Sequence, residues 1–301
     1  MTSTSSDAAA TTAAAGALTG HATEAIPSPP AFWEEMPGGH RRPRMHGRVV
    51  FVTGGTRGIG AAISRSFAEA GATVAAGYSS NADHARTLLT ELGKHGTTAS
   101  IHQGNIGSAE DCRRTIAEVI EAHGRLDVLV NNAGITIDKS VLKMTDDDWY
   151  KVIAVNLSGA FFMSQAVLPH MIERGSGRIV NISSLIGEIG NIGQANYAAS
   201  KSGLFGLTKS LAREAYHQLA RAGKLSEDGI GITVNTVAPG FVVTEMMEHI
   251  PDKVIDKFKA QIPAGRLGRP DEIARVVHFL AADQSSFITG AVWDVNGGQD
   301  M

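Results

Sequence analysis

One cysteine, Cys112, stands in a chain of 301 residues. A single thiol excludes an internal disulfide and any multi-cysteine metal site. Cys112 falls within a predicted helix, Asp111 to Glu121, as a small packed side chain. The 11 histidines show no His-Glu-x-x-His or similar ligand spacing, so no metal is expected. Charge of one sign is not in excess: 27 basic and 30 acidic side chains leave −3. No global basic field points to nucleic acid. No apolar run approaches the roughly 18 residues of a membrane span, so no membrane partner is expected. Arginine is missing before Arg41, and an apolar core behind a basic start is missing as well. Both absences argue against a presequence or a secretory signal, and a cytoplasmic location is the expectation.

Residues 1–46 are rich in Ala, Thr, Ser, Pro and Gly and follow neither the helical nor the strand period. They read as a disordered or loosely docked tail. Phe32 and Trp33 are candidates for docking on the body, and Arg41, Arg42 and Arg44 for touching an anion. A solvated linker is the simpler reading of each.

From Arg48 the texture changes. Val49-Val50-Phe51-Val52-Thr53 is an apolar run without alternation, which suits a strand buried on both faces. A glycine-rich turn and a helix, Ile59 to Ala70, follow. The alternation continues with strand Thr73 to Tyr78, helix Ala82 to Leu92, strand Thr98 to His102, helix Ser108 to His123 and strand Leu126 to Val130. Next come one long helix, Asp147 to Met171, and strand Arg178 to Ser183. A helix ending near Ala222, strand Gly231 to Val237, helix Asp271 to Ala282 and strand Ala291 to Val295 complete the series. Thr145 and Asp148 have the spacing of a capping box, which makes the acidic run Asp146 to Asp148 a helix start. Strands and helices alternating in this way predict an α/β fold: a single doubly wound parallel sheet of about seven strands over residues 47–301, with helices on both faces.

Thr53-Gly54-Gly55-Thr56-Arg57-Gly58-Ile59-Gly60 joins the first strand to the first helix. Glycines there let the backbone approach a pyrophosphate, and the helix N-terminus offers N–H donors and a positive dipole end. The spacing is Gly-x3-Gly-x-Gly rather than Gly-x-Gly-x2-Gly, and its place after a buried strand favours dinucleotide binding over a bare turn. An NAD site needs an acid at the end of the second strand. This chain reads Gly77-Tyr78-Ser79-Ser80-Asn81, with Asp83 beyond the expected spot, while Arg57 can face a 2′-phosphate. NADP is therefore expected over NAD.

Gln194-Ala195-Asn196-Tyr197-Ala198-Ala199-Ser200-Lys201 puts a phenol and an ammonium one helical turn apart on one face. A neighbouring ammonium lowers a phenol's pKa from its ordinary value near 10. With a cationic nicotinamide bound, Tyr197 can then exchange a proton with an oxygen at neutral pH, which is general acid–base catalysis. The pair alone arises often by chance; the rest of the chain gives it weight.

The motifs together resemble those of the short-chain dehydrogenase/reductase superfamily, from about Gly47 to Met301. They are Thr-Gly-x3-Gly-x-Gly at Thr53–Gly60, Asn-Asn-Ala-Gly at Asn131–Gly134, a serine thirteen residues before the tyrosine, Tyr-x3-Lys, and Pro239-Gly240 with Thr244. The resemblance implies that Ser184 donates to a substrate carbonyl oxygen. Tyr197 then delivers the proton, Lys201 holds the nicotinamide ribose and lowers the phenol's pKa, and Asn156 supports a water relay to Lys201. It implies cofactor contacts at Gly54, Thr56, Arg57, Gly58, Ile59 and Gly60, and at Asn105 and Ile106 on the adenine side. Asn132, Ala133 and Gly134 form the wall beside the ribose, and Pro239, Gly240, Val242 and Thr244 add further contacts. Ser184, Gln194 and Tyr197 are implied at the substrate. Each residue also has a plainer reading: Ser183 and Ser184 as a strand end, Asn156 as a bridge between helices.

Within the superfamily, Asn131 to Thr136, Gly193 to Tyr197, Arg266 to Pro270 and Asn296 to Met301 resemble reductases of 3-oxoacyl thioesters, on coenzyme A or acyl carrier protein. That resemblance implies NADPH as reductant, the (R)-3-hydroxyacyl thioester as product, acetoacetyl-CoA as the favoured substrate, and a homotetramer. Two departures stand out: the stretch before Gly47, and an insertion at about 216–229. Other readings are an idle NADPH-binding scaffold, which the presence of Ser184, Tyr197 and Lys201 disfavours, and a reductase of another ketone. The loops at Glu188–Ile192 and Glu245–Lys259 are expected to face substrate.

Overall fold

The first strand sets the frame. β1 (Val49–Val52) is buried at every position and pairs in parallel with β2 (Thr73–Tyr78) and β4 (Val128–Asn131). Helices cover both its faces, so no polar alternation is required of it. The computed structural model describes residues 45–301 except 95, 228 and 246–251. Phe32, Trp33, Arg41, Arg42 and Arg44 lie outside the described residues. Met45, at the end of the expected tail, is buried, and its N–H donates to the Ala70 carbonyl.

β3 (Ala99–Gln103), β5 (Gly177–Ile182), β6 (Ile232–Pro239) and β7 (Val292–Val295) complete one seven-stranded parallel sheet in the order β3-β2-β1-β4-β5-β6-β7. The chain moves outward from β1 to β3, then returns to the other side of β1 at β4. The C-terminal ends of β1 and β4 therefore flank the switch point, where such sheets open a crevice for a ligand.

Alternation along β1 divides the core. Val50 and Val52 pack with Ile63 and Phe67 of α1 (Gly58–Glu69), Leu88 and Leu92 of α2 (Ala82–Gly93), and Ile273 and Val277 of α9 (Pro270–Ala281). Phe51 faces the other way, toward Ile116 of α3 (Ala109–His123), Met163 of α5 (Gly159–Arg174) and Leu211 of α7 (Ala195–Arg221).

Four local features differ from the sequence expectation. The long helix is interrupted: α4 (Asp146–Ile153) runs into a π-helical turn, Ala154–Ser158, before α5. A π turn holds one residue more than an α turn and often marks a functional position; this one carries Asn156. The capping box of Thr145 and Asp148 is present at its start. Secondly, the continuous stretch Asp146–Arg174 is by length and composition apolar enough to cross a membrane, with a mean hydropathy of 1.5 over its most apolar window. This corrects the expectation that no apolar run approaches a membrane span: Ser158, Ser164 and Gln165 interrupt the apolar residues without lowering the average enough. Thirdly, part of the expected substrate loop is helical: α8 spans Asp252–Ala260. A further short helix, α6 (Ile186–Ile189), follows the fifth strand.

The stretch 216–229 takes in the end of α7 at Arg221 and the helix exit, where the Lys224 N–H returns to the Leu219 carbonyl. It feeds the start of β6, the end of the sheet opposite the crevice.

Candidate active site

The glycine turn is built so that only glycine fits. Gly54 and Gly58 have φ of +60° and +51°, a region that disfavours side chains. A Cβ on Gly60 would lie 2.1 Å from the Gly54 carbonyl oxygen. Thr53 locks the turn to the next strand: its Oγ accepts from the N–H groups of Asn132 and Ala133, both at 3.0 Å. The Asn132 amide donates to the carbonyls of Thr53 and Gly54. Asn132 thus spends its side chain on shaping the loop, and Thr53, the first residue of the glycine motif, builds the site through its hydroxyl rather than as a cofactor contact. α1 starts at Gly58 with no side-chain cap and no acid in its first turn, so its N–H groups and positive end remain available to an anion. Arg57, exposed, stands at its N-cap position. A cleft lined by Thr56, Arg57, Gly58, Arg65, Thr244 and Glu245 opens beside it. A close-approach cradle at an uncapped helix N-terminus fits the pyrophosphate of a dinucleotide.

The wall continues along the C-terminal ends of the strands. Gly134 lies between two of the expected catalytic residues: a Cβ there would be 3.4 Å from both Asn156 Oδ1 and Lys201 Nζ. Asn156 is buried; its Oδ1 accepts from the Ile135 N–H at 2.8 Å and its Nδ2 donates to the Ile135 carbonyl and Ser200 Oγ. Gly240 admits the Asn296 backbone, which a Cβ would meet at 2.8 Å. Val242 forms a bridge with Gly268, and Thr244 reaches the cleft. Asn105 and Ile106 follow β3, where Asn105 Oδ1 accepts from the Gly107 N–H and Ile106 packs into the core. Ile59 packs on the other core face.

At the centre, Ser184 hydrogen-bonds the Tyr197 hydroxyl and accepts from the Ile186 N–H at 3.1 Å. Lys201 is buried, donates from Nζ to the Ile182 carbonyl at 2.8 Å, and has that nitrogen 5.7 Å from the Tyr197 ring centroid. Burial pushes the ammonium down to about 8. The phenol differs from the sequence expectation: burial raises its pKa and the Asp138 charge adds to this, while only the Ser184 hydrogen bond opposes. Lys201 lies over the ring rather than at the hydroxyl, so in the chain by itself it does not offset desolvation.

The mouth is held by contacts that sequence gave no signal for. The Gln194 amide donates to both carboxylate oxygens of Asp138 at 3.1 Å, across a separation of 56 residues. Asn196 is buried and donates to the carbonyls of Ile137 and Asp148. Glu188 is pushed up to about 7, first by burial and then by the charges of Asp294 and Asp300. Cys112 is buried and its thiol donates to the Ile106 carbonyl. Among the described residues, no three His, Cys, Asp or Glu side chains converge as a metal site.

A doubly wound sheet, a dinucleotide cradle at its switch point and a Ser–Tyr–Lys cluster beside it define a nucleotide-dependent α/β enzyme. A family model described as enoyl-(acyl carrier protein) reductase matches residues 54–300. The chain is 49% identical over 253 residues to an acetoacetyl-CoA reductase of Shinella zoogloeoides, covering 84% of this chain and 98% of that protein. An acetoacetyl-CoA reductase of Rhizobium meliloti is 46% identical over 253 residues, with the same coverage. A 3-oxoacyl-[acyl-carrier-protein] reductase of Thermotoga maritima is 42% identical over 255 residues, covering 85% of this chain and 98% of that protein. The chain belongs to the short-chain dehydrogenase/reductase family, and is accordingly an oxidoreductase that uses a nicotinamide cofactor.

Proposed function

We propose that this protein reduces the C3 carbonyl of a short 3-oxoacyl thioester, acetoacetyl-CoA first, to the (R)-3-hydroxyacyl thioester with NADPH. The observation that carries the reading is the convergence of Ser184, Tyr197, Lys201 and Asn156 beside the glycine cradle. The nicotinamide cofactor supplies the hydride when bound. Ser184 orients the carbonyl oxygen and stabilises the charge that develops on it. Tyr197 gives that oxygen its proton, and Lys201, with Asn156 close behind, replenishes it. Thr56, Gly58, Ile59 and Gly60 hold the pyrophosphate. Arg57 faces the 2′-phosphate that distinguishes NADPH, and no acid at Ser79–Asn81 opposes it. The same proposal includes a cytoplasmic homotetramer.

Coenzyme A and acyl carrier protein present the same phosphopantetheine arm, so the surface outside the pocket must distinguish them. A protein carrier needs exposed basic side chains for steering. Arg178 is buried and Arg174 pairs with Asp127 at 3.7 Å, both near the start of β5 at the end of the sheet away from the crevice, so neither supplies a steering cation at the mouth. The reading is tested by comparing kcat/KM for acetoacetyl-CoA and acetoacetyl-carrier protein at two salt concentrations. Coenzyme A is expected to lead at both. A carrier advantage of about tenfold that shrinks with salt would transfer the assignment to the carrier-bound substrate.

A further inference from the structure

The catalytic strand end and α7 are joined by a hydrogen bond that no motif spacing calls for. Ser183 follows the last residue of β5. Its N–H donates to the Val237 carbonyl on β6 at 2.8 Å, so its main chain is fixed by the sheet. Its side chain is only 3% exposed and its hydroxyl donates to the Lys201 carbonyl at 2.8 Å. One residue earlier, the Ile182 carbonyl accepts from Lys201 Nζ at 2.8 Å. Lys201 is therefore gripped from two consecutive residues of one strand, by its main chain and by its side-chain tip. The next residue, Ser184, bonds Tyr197.

The bond to Ser183 is not needed to satisfy the helix. A carbonyl oxygen has two lone pairs, and the helical N–H four residues on uses one. What the second bond adds is a fixed separation between strand and helix. The neighbouring turn shows how little slack there is. A Cβ on Gly187 would lie 2.9 Å from the Lys201 carbonyl carbon, and Ser202 Oγ donates to the Gly187 carbonyl.

We propose that Ser183 is a positioning residue for the proton-transfer machinery. By holding the Lys201 main chain against β5, it sets the distances from Lys201 Nζ and the Tyr197 hydroxyl to Ser184. The inference rests on the proposed roles of Tyr197 and Lys201. Those roles need hydrogen-bond contact with the reacting oxygen, and a relaxation of a few tenths of an ångström in α7 is enough to spoil the alignment that proton transfer requires.

The test compares Ser183→Ala with Ser183→Thr, which keeps the hydroxyl, and with Tyr197→Phe on the same preparation. Ser183→Ala is expected to fold and to bind NADPH within about twofold of wild type, while kcat falls about tenfold, the shift that ~1.4 kcal/mol of transition-state stabilisation would produce. In the alcohol-oxidation direction, where phenolate is the active form, the acid limb of kcat should move to higher pH, because the Ser184 hydroxyl, which favours the phenolate, is then less well aligned with Tyr197. Ser183→Thr should recover most of kcat; if its added methyl disturbs folding, Ser183→Ala and its pH profile decide alone. A merely structural serine would lower thermal stability and leave kcat and the pH limb of the folded enzyme unchanged, and that outcome overturns the proposal. If Tyr197→Phe is inactive while Ser183→Ala is unaffected, only the positioning role is lost. If Tyr197→Phe keeps its activity, the catalytic reading fails and this inference fails with it.

Discussion

Lys201 Nζ donates to the main-chain oxygen of Ile182 at 2.8 Å, while the Tyr197 ring centroid stands 5.7 Å away. The ammonium is thus anchored to the last residue of β5, two before Ser184, and among the described residues hydrogen-bond donor capacity is left on it for a ligand. An anchored, desolvated ammonium is costly to fold around and ready to act.

Removing the Tyr197 hydroxyl alone, with Tyr197→Phe, should leave fold and NADPH binding intact and lower turnover by at least about a hundredfold, the low end for a lost general acid. Steady-state kinetics with a binding control measures this. A rate within threefold of wild type would remove Tyr197 from the mechanism.

Lys201→Met should abolish turnover yet raise the thermal midpoint of the cofactor-free protein at pH 7. Burial holds the folded pKa near 8, below the unfolded value, at a cost of roughly 3 kcal/mol. The lost bond to Ile182 returns about 1 kcal/mol of that. Between pH 8 and the unfolded pKa, the unfolded chain binds more protons than the folded one, so wild-type stability rises with pH in that window. The advantage of Lys201→Met should therefore shrink from pH 7 toward pH 10, as calorimetry across that range would reveal.

Arg57 is exposed and offers no cap to α1. Arg57→Ala should lower kcat/KM for NADPH about tenfold, the loss of one hydrogen bond to a charged group, and leave NADH within about twofold. Equal losses with both cofactors would mean that Arg57 touches the shared pyrophosphate instead.

The helical stretch Asp146–Arg174 is strongly apolar, yet only 39% of its most apolar window is buried within the chain. Trp149, Tyr150 and Phe161 remain exposed on it. Light scattering at micromolar concentration should give a tetramer, and Phe161→Glu should lower the mass toward dimer or monomer. A monomeric wild type would refute this arrangement.

The sequence alone determined what depends on short-range order. β1 reads as fully buried because Val49 to Val52 carry no polar residue, and the Thr145–Asp148 box marks a helix start because both partners are three residues apart. Gly54, Gly58 and Gly60 are legible as a cradle because the demand for a missing side chain is local. Spacing also marked Tyr197 and Lys201, which one helix brings together. Tertiary structure decided what depends on distant parts of the chain. The grip of Ser183 and Ile182 on Lys201, the pairing of Asp138 with Gln194 and the service of Thr53 to the Asn132 turn join residues 18 to 80 positions apart. The direction of the Tyr197 shift belongs there too. Desolvation depends on everything packed around a group, and a lysine one turn away does not reveal that its charge lies over the ring while its tip is tied to the sheet.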